Sequence, residues 1–288
     1  MIVAAVLLAY AAAYLLRVRT LARRGRPVPR GRLACFLVGL AVVAAATSPP
    51  VSLAADERMA AHMAEHLLMA DVASLLLVLG LTGPVLAPLM RLPGAHAVRA
   101  LGHPAVALPL WAANLWLWHL PVAYEAALRH DLVHAVQHAS FLLLGMNLWM
   151  PLFGPFARPE WFGTGAQFGY VLGVRFTSAL LANLFVWSGT AFYAWYGRDL
   201  DDQAAAGAVM MAEDSVFMVA LFAWLALRWL RDAEQRQSLT ELAAAHGVPL
   251  DERRVARAVA AGRAEDLRHR LLAGRPATSR GSEPRRAA

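Results

Sequence analysis

Seven apolar runs, separated by short polar segments, dominate this chain. They are approximately Ile2 to Leu16, Leu33 to Ala46, His62 to Leu81, His103 to Leu120, His134 to Leu152, Phe168 to Thr190 and Ala204 to Leu230. A helix needs roughly 17 to 25 mainly apolar residues to cross a bilayer's hydrocarbon core, so the first two runs are expected to extend a turn into their flanks. Composition agrees, with 59% hydrophobic and 16% charged residues, against about half and about a quarter in ordinary soluble domains. The pattern predicts an all-α polytopic membrane protein. Residues 1–230 would form a seven-transmembrane-helix bundle, and 231–288 an Arg-rich cytoplasmic tail of short helices, broken at His246-Gly247-Val248-Pro249 and near Gly262, that ends in disorder. The lone cysteine, Cys35, excludes an intrachain disulfide and reads as a small buried apolar residue.

The formal charge of +7 comes with 27 basic residues, all arginine. Basic residues accumulate in the cytoplasmic loops of membrane proteins. Sorted by loop, 23 arginines fall on one side, three (Arg58, Arg129 and Arg198) on the other, and Arg175 lies inside a run. This predicts an N-terminus outside and a C-terminus in the cytoplasm. The first run has no basic residue before it and a dense basic segment after it, so it reads as an uncleaved span. The basic tail is what orientation requires. It can lie on anionic lipid and carries no signal for nucleic acid.

On that topology six of the ten histidines share the outer face: His62, His66, His119, His130, His134 and His138, while His96 and His103 fall on the inner side. Residues four apart on a helix lie on one face, so His62 with His66, and His134 with His138, form two imidazole pairs on two helices. Imidazole ligates zinc, copper, iron and nickel when neutral, and thioether sulfur suits Cu(I). Met63 beside the first pair, and Met210 and Met211 near the outer start of the last run, supply such sulfurs. His119 is a fifth imidazole. Interhelical packing is the competing explanation for any one of these side chains.

Within the runs lie Asp71, Arg175, Glu213 and Asp214. A charge inside a membrane must face the bundle and find a partner, so Arg175 is expected to pair with one of the carboxylates, with Asn114, Asn147 and Asn183 available to the same network. A proton or ion path is the functional alternative. His62-Met63-Ala64-Glu65-His66 also fits the H-x-x-E-H order of inverted zinc peptidases, with Glu65 as base and Glu125 or Glu213 as a third ligand. A five-residue match at the lip of a span carries little weight without its structural context.

Several runs resemble one family. His62-Met63-Ala64-Glu65-His66-Leu67-Leu68-Met69, Trp118-His119-Leu120-Pro121 with Tyr124, Val133-His134-Ala135-Val136-Gln137-His138 followed by Phe141, Gly145, Trp149 and Pro151, and Asp202-Gln203 with Gly207 and Met210 are together similar to the CtaG-type cytochrome c oxidase assembly factors. The similarity covers roughly Leu33 to Leu230. Two positions depart from the family's usual pattern, Glu65 in place of Gln and Met211 in place of Trp.

The resemblance implies a multi-pass protein of the bacterial plasma membrane that is not an enzyme. Its role would be to supply copper, probed best as Cu(I) and held stably or in transit, to a haem-copper cytochrome c oxidase. Partners would be an oxidase subunit or other copper chaperones, with self-association left open. His62, His66, His134 and His138 become the leading metal contacts, His119 a fifth, Met63 and Met210 softer auxiliaries, and Asp202 and Gln203 motif residues without an assigned role. The second reading is a membrane cytochrome in which two of these histidines are axial ligands to haem.

Overall fold

The computed structural model describes residues 2–260 and 263–273. The described residues are helical throughout, with no strand. In chain order the helices are α1 (Ile2–Arg23), α2 (Arg30–Ala46), α3 (Pro49–Glu57), α4 (Met59–Leu67), α5 (Ser74–Gly80), α6 (Gly83–Leu86), α7 (Ala95–Leu101), α8 (Pro104–Trp118), α9 (Pro121–Arg129), α10 (Asp131–Phe153), α11 (Thr164–Trp187), α12 (Leu200–Ala245), α13 (Glu252–Ala260) and α14 (Ala264–Leu272). A π-helical turn, Leu68–Ala73, joins α4 to α5, and a 3₁₀ turn, Leu89–Arg91, precedes α7. The chain divides into two compact units, residues 1–220 and 221–288.

Four helical stretches are long and apolar enough to cross a membrane: α1, α4 through α5, α11 and α12. Counting α2 with α3 (bent by 50°) and α8 with α9 (bent by 70°) as single crossings raises this to six. Prolines at helix starts mark both bends: Pro49 and Pro50 open α3, and Pro121 opens α9, where the missing N–H costs nothing. The expected fifth run, now α10, has the length, 23 residues, but not the hydropathy. His134, Gln137, His138 and Asn147 lower it, and the first three recur in the candidate site below.

In the first unit, the π turn and α5 lie between α2 and α10, with α4 packed on α3, while α10 also packs on α8 and α9, and α11 on α8. Tyr14 of α1 stacks on Phe36 of α2 (3.8 Å between centroids) and donates its hydroxyl to the Gly80 carbonyl at 2.8 Å. Arg32 donates to the carbonyls of Leu79 and Leu81 (3.1 Å each), and Arg17 to that of Pro84 (2.5 Å). Cations thus meet the free carbonyls at the end of α5, which the helix dipole favours. Cys35 is half-buried rather than fully enclosed.

The second unit has its own core: Leu239 and Ala243 of α12, Val255 and Val259 of α13, and Leu267 and Leu271 of α14. The expected break after Leu230 is absent, because α12 continues helical to Ala245 through a polar stretch of good helix formers. The break at His246 to Pro249 is present, with Gly247 in the left-handed region (φ 62°). The one near Gly262, and the terminal segment expected to be disordered, lie outside the described residues.

Candidate metal centre

The histidine-bearing α4 begins without a local side-chain cap, since Arg58 at its N-cap offers none. The cap arrives from α12 instead. The Asp202 carboxylate accepts the backbone N–H groups of Met59 (2.6 Å) and Ala60 (3.3 Å), meeting two of the donors that a helix start leaves free. From that fixed turn, His62, Glu65 and His66 follow at i, i+3 and i+4 on one face. On α10 the same spacing sets His134, Gln137, His138 and Phe141 on one face. The two helices come close because residue 145 is glycine: a Cβ there would collide with the Ala70 carbonyl of the π turn.

The two histidine faces meet. His62 and His134 lie 5.5 Å apart between ring centroids, near-parallel at 14°, while His66 and His138 are 5.3 Å apart at 90°. Along the helices, His62 and His66 are separated by 4.3 Å, and His134 and His138 by 4.1 Å. One ligand atom each from His62, His66 and His134 falls within 4.8 Å of the others, and the same holds for Glu65, His134 and His138. A tetrahedral ion at about 2.0–2.1 Å from each nitrogen needs donors about 3.3 Å apart, which small side-chain rotations reach.

Polar atoms without a protein partner concentrate here. Eighteen such buried atoms occur among the described residues, and twelve belong to His62, Glu65, His66, His119, Tyr124, His134, Gln137 and His138. His62 and Glu65 are fully buried and His66 is 4% exposed. A buried polar group with nothing to bond costs about 1–3 kcal/mol. A cluster of them on facing helices is therefore a place prepared for something that binds lone pairs.

The walls are aromatic. Tyr124 of α9 lies 5.0 Å from the His62 ring and stacks on Tyr193 (3.9 Å), and Phe141 lies 4.7 Å from His66. In the segment between α11 and α12, Tyr193 donates its hydroxyl to the His119 carbonyl and Tyr196 donates to the Ala55 carbonyl, each at 2.8 Å. Burial pushes both phenols above their ordinary range, so they remain neutral donors. Gln203 braces the same segment: its Oε1 accepts the Phe192 N–H (2.8 Å) and its Nε2 donates to the Thr190 carbonyl (3.1 Å).

Of the residues singled out from sequence, His62, His66, His134 and His138 converge, and Glu65 joins them. His119 borders the cluster, 6.1 Å from Tyr124 and 6.2 Å from Phe141. Its Nδ1 lies 2.7 Å from the Leu115 carbonyl and so carries the proton, leaving Nε2 as the lone-pair nitrogen. Met63 and Met210 are buried core side chains, each 2% exposed, whereas Met211 is exposed. His130 is exposed at the N-cap of α10. The sequence gives no ligand role to Glu65 or Gln137, although their place at i+3 from each pair's first histidine was the available signal.

Neither acid suggested as the third zinc ligand reaches this place. Glu125 binds Arg129 (2.9 Å) and the Ala194 N–H (2.8 Å), and Glu213 faces Arg175. Glu65 stands 3.7 Å from His138, so its donor group is formed with the opposite helix rather than with His62 and His66.

The intramembrane charges form a second cluster. Arg175, 2% exposed, contacts all three carboxylates rather than one: Asp214 (2.9 Å), Asp71 (3.1 Å) and Glu213 (3.4 Å). Trp149 and Phe217 place their rings 5.8 and 5.5 Å from its guanidinium carbon. Asp71 sits in the π turn, whose wider winding sets its register toward α11. Asn114 and Asn183 bond elsewhere: Asn114 accepts from Trp118, and Asn183 from Trp187, one turn along their own helices.

With this geometry in view, the chain was compared with known proteins. The family model of the cytochrome c oxidase caa3 assembly factor, CtaG, matches residues 12–232. The chain belongs to this family. The match spans every motif on which the resemblance rested, from the first histidine pair on α4 to Met210 on α12. Among curated proteins, uncharacterised proteins of Mycobacterium bovis and Mycobacterium tuberculosis are each 24% identical over 238 residues, and one of Mycobacterium leprae is 23% identical over 236. Each alignment covers 73% of this chain and 36% of the relative, so the chain spans about a third of the length of the curated relatives it matches. No solved structure matches it significantly.

Proposed function

We propose that this CtaG-family chain acts in the assembly of a haem-copper cytochrome c oxidase by holding copper, as Cu(I), among His62, His66 and His134. The ion is cargo, passed to an oxidase subunit or another copper chaperone. The observation that carries this reading is the convergence, from two helices, of buried imidazole nitrogens that have no protein partner. Neutral imidazole is a good ligand for copper. Three such donors leave a coordination position open, so an incoming ligand can begin exchange before the last bond is lost. No catalytic step is involved.

The proposed setting is the bacterial plasma membrane, crossed seven times by α1, α2, α4 through α5, α8, α10, α11 and α12. The arginine distribution puts the N-terminus outside, and the N-terminal ends of α4 and α10 then face the extracytoplasmic side, where oxidase copper would be delivered. The haem reading is less well served. The two histidine faces pack directly on each other, with ring centroids 5.5 and 5.3 Å apart, so a macrocycle between them would require the helices to separate.

The test is titration of detergent-solubilised protein with Cu(I) under reducing conditions, in competition with a chromogenic chelator. Binding at about micromolar affinity or tighter, roughly 8 kcal/mol, is expected, with loss of at least a hundredfold on changing His62, His66, His134 and His138 together to alanine. Equal binding by that variant would refute the site. A Soret band in the purified protein would favour haem instead.

A further inference from the structure

Glu65 is a buried carboxylate without a basic partner. It is 0% exposed, neither oxygen has a hydrogen-bond partner, and the nearest cationic side chain among the described residues' ion pairs is His138, with Nε2 3.7 Å away. A carboxylate taken out of water and left unpaired is among the costliest arrangements a fold can hold. Its position repays inspection because the lone-pair atoms around it fall into two triads rather than one. His62, His66 and His134 form the first; Glu65, His134 and His138 form the second. His134 belongs to both.

We infer that Glu65 is a metal ligand, and that the cluster offers an ion two overlapping seats pivoting on His134: a neutral one of three imidazoles and an anionic one of Glu65, His134 and His138. The inference rests on reading the cluster as a metal carrier, and adds a second donor set with a different preference. Three neutral imidazoles accept a monovalent or a divalent ion, whereas the second set, a carboxylate with two imidazoles as in some zinc sites, adds a negative charge that favours the divalent one. The carboxylate contributes a full negative charge in a site remote from water, which attracts a divalent ion more strongly than a monovalent one.

Because one imidazole nitrogen cannot serve two ions fully, the seats are alternatives. An ion moves between them with its His134 bond retained: the bonds to His62 and His66 break, and bonds to a Glu65 oxygen and His138 form. No electron is transferred. The second seat lies toward α10, whose two residues there, His134 and His138, are only partly buried, while His62 and His66 are buried. The Glu65 seat is thus the one nearer to exchange with a partner's ligands.

The experiment uses the full chain in detergent with two probes, Cu(I) and Zn(II). Glu65→Gln should weaken Zn(II) at least tenfold and change Cu(I) less than threefold. His66→Ala should do the reverse, and His134→Ala should weaken both. His138→Asn repeats the Glu65→Gln expectation at a less buried position (side chain 16% exposed against 0%), so the outcome does not hang on one variant folding. An unchanged Zn(II) affinity in Glu65→Gln and His138→Asn, or equal losses for both ions, would overturn the second seat. Failure of the wild-type chain to bind Cu(I) would instead remove the copper-carrier reading, while selective loss of Zn(II) in these variants would still establish Glu65 as a ligand.

Discussion

Asp202 accepts the backbone N–H of Met59 at 2.6 Å across 143 positions of sequence, so the first turn of α12 caps the helix that presents His62 and His66. A charged acceptor at a helix start contributes about 0.5–2 kcal/mol. Asp202→Ala should fray the first turn of α4, raise hydrogen exchange at Ala60 to His62, and weaken Cu(I) binding about three- to tenfold. Asp202→Asn, which keeps an acceptor oxygen, should lose less than half of that effect. Equal exchange rates in wild type and Asp202→Ala would show that α4 does not depend on this cap.

Gly145 sets the separation of the two histidine helices. A side chain there meets the Ala70 carbonyl, which is backbone and cannot rotate away. Gly145→Val should therefore destabilise the bundle by about 1–3 kcal/mol or more through overpacking, and should widen the gap that His62 and His66 share with His134 and His138. Thermal unfolding in detergent reads the first effect, and the Cu(I) titration the second. A variant that melts normally and binds normally would place the α4–α10 spacing under other control.

How much of this was legible in the sequence follows from which interactions are local. The apolar runs and the i,i+4 pairs on α4 and α10 depend on positions within one helix, and they could be read directly. That the pairs face each other depends on Gly145 and the π turn at Leu68–Ala73, and neither announces its packing partner along the chain. The role of Asp202 was opaque for the same reason: the N–H donors it accepts from belong to a helix 143 residues away. The hydropathy signal also weakened on α10, where His134, Gln137, His138 and Asn147 interrupt the apolar run. The composition change at Leu230 misled because helix propensity, unlike hydropathy, does not change there.

Arg175 holds three carboxylates with one guanidinium. Removing it as Arg175→Met leaves Asp71, Asp214 and Glu213 facing one another in a dry interior, and breaking a buried pair from one side typically costs 3–5 kcal/mol. Folded yield should collapse. Arg175→Lys retains the charge but contacts fewer of the carboxylates, because one ammonium lacks the planar fork that spans Asp71 and Asp214; an intermediate loss is expected. Restoration of yield by Arg175→Met combined with Asp71→Asn and Asp214→Asn would confirm that unpaired charge, rather than lost packing against Trp149 and Phe217, is the cause.

Bound cargo should stabilise the fold that binds it. With free Cu(I) at 100 times the dissociation constant, the stabilisation is about 2.7 kcal/mol, large enough to raise the melting temperature by several degrees. The His62, His66, His134 and His138 quadruple alanine variant should show no such shift. It should melt somewhat lower than the metal-free wild type, because four packed rings leave cavities behind, so the readout is the shift that Cu(I) adds to each protein's own baseline. An equal Cu(I)-induced shift in the variant would show that the ion binds elsewhere.

Gln203 makes the last of the long-range ties, and its chemistry allows a sharper test than truncation. Its Oε1 accepts from Phe192, while its Nε2 donates to the carbonyls of Thr190 and Phe185 and to the Ser188 hydroxyl oxygen. Gln203→Leu leaves a buried N–H and carbonyls unpaired, at about 1–3 kcal/mol, and should loosen the segment that carries Tyr193 to the His119 carbonyl. Gln203→Glu keeps the shape and the acceptor but puts a carboxylate against those carbonyl oxygens, so it should be worse than Leu. Hydrogen exchange across Phe192 to Tyr196 should rise in the order wild type, Gln203→Leu, Gln203→Glu, with α1 and α2 unaffected. If Glu proved milder than Leu, donation by Nε2 would not be what holds this segment in place.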